Sequence, residues 1–265
     1  MAKLWERKQW ITDVPVILNN NIYEYDIRAA NVNMMYAYGI ISPGEFYNYL
    51  NMDKHIREVS VGLLQKRQKA QTGTNKIGTL INEGIKECKR LLFEANGIED
   101  SNVVRVASDA VYVMSECPYP ITTVVLNNHH VVFKVKGPYR SMLKLNNVVI
   151  FFSLLADAYD VDVKGINDNL VHLHSDFLSF LCQIIECMEH GDRDGTMRIY
   201  KDYYEAYINR ELPINHYREF NSNSCFRLIN SNVGTMYIDQ SIIDLIDISY
   251  NNFILRELYR IILTM

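Results

Sequence analysis

The chain has 265 residues, 48% of them hydrophobic and 22% charged. That is enough apolar material for a sizeable core and too much for a disordered chain. With 27 basic against 31 acidic residues the net charge is −4, which excludes a uniformly basic nucleic-acid coat but leaves room for a local basic groove. The five cysteines, at 88, 117, 182, 187 and 225, form no CxxC pair, so reduced thiols are expected rather than a zinc site or a disulfide framework.

No apolar run approaches the about 18 residues of a membrane span. Met1–Lys8 carries charge without an apolar stretch, so no signal peptide is expected. These features point to a soluble, intracellular protein with no membrane partner. The 18 tyrosines and the clusters Asn19–Asn21, Asn127-Asn128, Asn146-Asn147 and Asn251-Asn252 fit either an A/T-rich genome or a turn-rich chain.

Val14–Leu18 reads as a short strand, and Pro15 places it at a sheet edge. Ile22–Ile27 alternates Tyr23, Tyr25 and Ile27 with Glu24 and Asp26, a strand with one aromatic and one acidic side. A helix follows from Ala29 to Tyr38 and stops at Gly39. Ser42-Pro43-Gly44-Glu45 is a capping box with Pro at the first helical position, starting a helix through Leu50.

Lys54–Ala70 reads as a helix ending in Lys66-Arg67-Gln68-Lys69, and residues 71–75 break it. Ile77, Leu80, Ile81, Ile85, Cys88, Leu92 and Ala95 follow a 3.6-residue period up to Gly97, the clearest helix in the chain. Apolar runs on either side of Ser108-Asp109, from Val103 to Val113, then form a tight hairpin. Further hairpins are expected around residues 127–130 and around Asn146-Asn147.

After about residue 155 the composition turns helical, with helices over Leu170–His190, Asp192–Arg210 and Ser241–Leu263. The expected class is therefore α+β: residues 1–155 form an antiparallel sheet with helices on one face, and residues 156–265 form a mostly helical region.

Asp26 ends one strand and Asp109 sits at a hairpin tip. Two carboxylates at the ends of adjacent strands suit a pair of hard divalent cations, although each alone also reads as a turn residue. Lys66, Arg67 and Lys69 read as a phosphate-binding cluster or as cations at a helix C-terminus, favoured by its dipole. Lys134, Lys136, Tyr139, Arg140 and Lys144 read as a phosphate-tracking hairpin or as a solvated face. His129-His130 and His172-x-His174 lack partners at metal-ligand spacing. Cys182 and Cys187 read as core, and Tyr200, Tyr203, Tyr204 and Tyr207 as a packing stripe.

The order of these pieces resembles the palm and thumb of a family B DNA polymerase. Tyr25-Asp26-Ile27-Arg28-Ala29-Ala30-Asn31 is similar to that family's motif A, with its Ser-Leu-Tyr-Pro replaced. Val106-Ala107-Ser108-Asp109-Ala110 resembles motif C, with Ala107 at the first acidic position and Asp109 at the second. Lys134–Leu143 resembles the strand pair carrying the KxY element, Lys164-Gly165-Ile166 the start of the thumb, and Ala206–Pro213 a run within it. Motif B is matched poorly by Lys69–Gly78, and no exonuclease domain fits before Asp26.

The resemblance, covering roughly residues 22–215, implies a palm over 1–155 and a thumb over 156–265. It further implies Mg²⁺ held by catalytic Asp26 and Asp109, triphosphate contacts from Lys66, Arg67 and Lys69, and nucleic-acid contacts from Lys134, Lys136, Tyr139, Arg140 and Lys164. The substrates would be primer–template DNA and deoxynucleoside triphosphates. A partner chain would supply the missing fingers and exonuclease regions, and a phage origin and the host cytoplasm would follow. A catalytically inactive, palm-like accessory or nucleic-acid-binding subunit is the alternative. A third is a phage assembly or host-takeover protein that docks through Ile242–Leu263.

Overall fold

Period-two runs become strands and 3.6-period runs become helices along most of the chain. The computed structural model describes residues 3–145, 148–156, 158–165, 175–217 and 240–265. The strands are β1 (Trp10–Ile11), β2 (Val16–Ile17), β3 (Ile22–Ile27), β4 (Val103–Val106), β5 (Ala110–Met114), β6 (Thr123–Leu126), β7 (His129–Tyr139), β8 (Ser141–Leu145), β9 (Val148–Leu155) and β10 (Ala158–Gly165). The helices are α1 (Ala30–Ala37), α2 (Pro43–Asn51), α3 (Lys54–Thr72), α4 (Lys76–Asn96), α5 (Ser175–Glu189), α6 (Arg193–Ile208) and α7 (Ser249–Thr264). The class is α+β, with two antiparallel sheets.

Contacts divide the chain into two compact units, Met1–Thr12 with Asn21–Pro138, and Asp13–Asn20 with Tyr139–Met265. The composition shift near residue 155 falls inside the second unit, because β8 and β9 share one apolar core with the helices that follow them.

The first unit holds a six-stranded sheet in the order β1-β4-β5-β3-β7-β6. Tyr23, Tyr25 and Ile27 of β3 enter a core with Val111, Val113, Val131 and Phe133, and the stripe Ile77, Ile81, Ile85, Cys88 and Leu92 of α4 packs with them. Local signals set the helix ends. Ser42 and Glu45 close the expected capping box, Asp53 caps α3, and Gly73 and Gly97 end α3 and α4 at φ of 73° and 63°, where a side chain would be strained.

The β6–β7 turn is tighter than expected. Only Asn127 and Asn128 lie in it, both at positive φ (47° and 64°), as a type I′ turn requires and asparagine tolerates. His129 and His130 therefore belong to β7.

The second unit holds the sheet β10-β9-β8-β2, with β2 at the edge as Pro15 suggested. Leu143, Leu145, Val148, Ile150 and Phe152 share its core with α5, α6 and α7. β10 adds a strand to the mostly helical C-terminal region. Tyr159, Val161 and Val163 alternate there with Asp160, Asp162 and Lys164, a period-two signal.

The expected helix over Ser241–Leu263 is also divided. A 3₁₀ segment, Gln240–Leu245, precedes α7, and the Asp247 carboxylate accepts the Ser249 N–H at 2.9 Å where the helix restarts. Ile166, His172, His174, Asn146, Asn147 and Cys225 lie outside the described residues.

Leu92 is fully buried under the first sheet. Leu92→Ala is expected to lower stability by about 2–5 kcal/mol, whereas Lys201→Ala on the exposed side of α6 should stay within about 0.5 kcal/mol. Urea denaturation of the two variants checks both values.

Candidate functional site

β3 is flanked by β5 and β7, and its C-terminal end carries Asp26. The Asp26 Cα lies opposite Ala110. The Ile27 N–H donates to the Asp109 carbonyl at 2.9 Å. Ala107 N–H donates to the Ala110 carbonyl at 2.8 Å, closing a turn with Ser108 and Asp109 at its tip. Two acids far apart in sequence therefore meet at one end of the sheet.

The charges there are coupled. Burial pushes the Asp26 carboxyl up to about 6, with the Asp109 and Glu24 charges acting the same way and Lys136 and Lys54 opposing them. Glu24 lies on the same side of β3 and pairs with Lys136 of β7 at 3.2 Å. Arg28 N–H donates to the Val132 carbonyl at 3.0 Å.

Directly after Asp26 the chain passes through Ala29 at φ 47°, a left-handed conformation disfavoured for alanine. No side chain caps the start of α1, and the Val32 and Asn33 N–H groups both donate to the Ala29 carbonyl at 3.0 Å.

Lys89 is a site residue that the sequence reading passed over. It is 1% exposed, and its ammonium donates to the Arg7 carbonyl at 3.0 Å and the Ala107 carbonyl at 3.3 Å. Burial pushes it down to about 8, against the attraction of Asp109. The signal was present: Lys89 follows Ile85 by four residues and precedes Phe93 by four, on the buried stripe of an otherwise regular amphipathic helix. Lys54 was also missed, because its spacing to Glu58 reads as an ordinary i,i+4 surface pair, here at 3.9 Å.

The remaining candidates are distributed as follows. Lys66, Arg67 and Lys69 sit on α3 twelve to fifteen residues beyond Lys54, about 18–22 Å farther along the helix at 1.5 Å per residue. Lys54 is thus the α3 cation near Asp26. Lys134 and Lys136 belong to the first unit, and Tyr139, Arg140 and Lys164 to the second.

Several of these are engaged within the chain. Tyr139 is buried, donates its hydroxyl to Asp162 at 2.8 Å and packs on Phe151. Arg140 pairs with Glu189 at 3.0 Å, and Lys164 with Asp162 at 3.1 Å. His129 contacts Asn33 at 2.7 Å and packs edge-on to Tyr36 and Phe46. The tyrosine stripe of α6 is packing: Tyr203 stacks on Phe180, and Tyr207 on Tyr217.

Among the described residues no three His, Cys, Asp or Glu side chains gather as a metal cage. The donor set is two carboxylates. That fits Mg²⁺, which binds through one or two carboxylates and fills its shell with water and substrate phosphates. Among the described residues no helix is long and apolar enough to cross a membrane.

Asp26 binds its proton more tightly folded (about 6) than at its ordinary value of 3.8. Stability therefore falls as pH rises from about 4 to about 6, and the loss persists above. Asp26→Asn is expected to stabilise the protein at pH 7.5 by about 1–2 kcal/mol, less than the roughly 3 kcal/mol that two pKa units represent, because Asp26 is only partly buried. The gain should vanish at pH 4. Urea midpoints at the two pH values check this, and an equal gain at both would mean that Asp26 ionises normally.

Comparison with curated proteins gives no match. The family model described as "Bacteriophage PBS1 gene 130 protein" matches residues 1–264, essentially the whole chain, and the chain belongs to that family of phage proteins.

Proposed function

We propose that this phage protein is the palm-and-thumb part of a split nucleotidyl transferase of the family B DNA polymerase type. It extends primer–template DNA with deoxynucleoside triphosphates in the host cytoplasm, and a partner chain completes the fingers and exonuclease regions. The observation that supports this reading best is the meeting of Asp26 and Asp109 at the ends of β3 and β5. Mg²⁺ held by these carboxylates would lower the pKa of a primer 3′-hydroxyl and neutralise charge on the departing pyrophosphate.

The chain's own residues have defined parts in this reading. Asp26 and Asp109 hold the cation, with Lys136 and Lys54 offsetting charge at Asp26 and Lys89 attracted by Asp109. Lys89 pins the turn at the Ala107 carbonyl, where the family's first motif C acid would be. Lys54, which acts on the Asp26 charge, and Lys134 would meet phosphate oxygens. Lys66, Arg67 and Lys69 enter as phosphate contacts reached from the far end of α3. Lys136, Arg140 and Lys164 would contact nucleic acid only by sharing or leaving their carboxylate partners, and Tyr139 would support that strand from within.

A second reading, an inactive accessory subunit, is favoured by Ala107 in place of an acid and by the neutralised cations of the hairpin. Mg²⁺-dependent primer extension by wild type and Asp109→Ala, with the partner chain present, separates the two. The catalytic reading expects extension by wild type and a loss of at least about 10²-fold in the variant; equal extension removes it. With Mg²⁺ and deoxynucleoside triphosphate at a hundredfold excess over the dissociation constant, wild type should gain about 2.7 kcal/mol of apparent stability. No gain at millimolar ligand favours the accessory role.

A further inference from the structure

α3 is 19 residues long, yet Val61 is its one fully buried residue. Val61 and Leu64 face the core of the first unit. The opposite side carries a second apolar stripe, Ile56, Val59 and Leu63, spaced three and four residues apart and 57%, 48% and 48% exposed. Met52, one turn before Ile56, continues the line and is also exposed. Gly62 borders the stripe in mid-helix, where glycine weakens a helix. A Cβ there would meet nothing within 4 Å, so no contact within the chain accounts for it. Asp53 caps one end of this face, and Lys66, Arg67 and Lys69 crowd the other.

We propose that this face is a two-fold interface in which α3 packs antiparallel on α3 of a second copy of the chain. About an axis level with Val61, Val59 of one copy meets Leu63 of the other. The stem of Lys66 covers Ile56, and Asp53 lies on the same flank as Arg67 of the other copy. An isologous contact requires such a self-complementary pattern. Antiparallel alignment opposes the helix dipoles, and Gly62 lets the two backbones approach near the axis. A membrane or nucleic-acid surface would instead set Asp53 against like charge. The helix is about 28 Å long, and one helix pair buries less than the about 800 Å² per partner of a standard interface. The dimer is therefore weak and concentration-dependent.

Sedimentation equilibrium of the full chain between about 1 and about 200 µM tests this, spanning the range where a weak dimer forms. A monomer–dimer equilibrium is expected. Leu63→Glu should weaken it at least about tenfold with an unchanged circular dichroism spectrum and thermal midpoint. Gly62→Leu should weaken it while the thermal midpoint holds or rises, since the monomer has open space there. Leu263→Glu on α7 should dimerise like wild type. A chain that stays monomeric throughout, or a dimer unaffected by both α3 variants, overturns the proposal. A monomer that instead co-sediments with phosphatidylserine vesicles overturns it in favour of a membrane surface.

Discussion

Placing Asp26 beside Asp109 at the end of a central strand is unfavourable, and much of the first unit is arranged around that cost. The strand is hydrogen-bonded on both sides, so its end cannot swing away from the hairpin. Burial and like charge both resist ionisation of Asp26, while Lys136 and Lys54 offset part of the repulsion. A buried ammonium, Lys89, holds the turn that carries the second acid. Such arrangements of desolvation and like charge are commoner at functional sites than in structural turns.

The residues that made the fold legible are those where one local rule decides the outcome. α4 followed from its apolar period, α2 from its capping box, and β3 from the alternation of tyrosines with acids. The pairing of Asp26 with the Asp109 hairpin was legible for a different reason: a strand-to-helix step and a hairpin tip are both fixed locally, and antiparallel pairing then brings their ends together.

What stayed hidden depended on contacts between distant segments. β10 was not assigned from sequence, because its alternation includes the charged Asp160, Asp162 and Lys164 and pairing with β9 is what makes them a strand. Tyr139 read as a nucleic-acid contact in a basic hairpin, but it is buried and its hydroxyl donates to Asp162. Lys89 could not be assigned a role without knowing that Arg7 and Ala107 offer carbonyls beside it. The division between units was hidden too, because residues 13–20 pair with β8 far along the chain.

The charge balance of the molecule bears on how it would hold nucleic acid. A phosphate-tracking strip needs cations whose counter-charge is mobile, since affinity comes largely from counterion release. Lys136, Arg140 and Lys164 each have a protein carboxylate in place of mobile counterions, so exchanging it for phosphate gains little. Lys54 pairs with Glu58 at 3.9 Å and acts on Asp26, and the two site carboxylates would themselves repel DNA unless a dication were present. Any affinity of this region for a polyanion is thus tied to the occupancy of Asp26 and Asp109. A polymerase-like palm and an inactive relic differ most at that point: in the first, divalent cation and nucleic acid bind in support of one another, and in the second, the acids simply keep phosphate away.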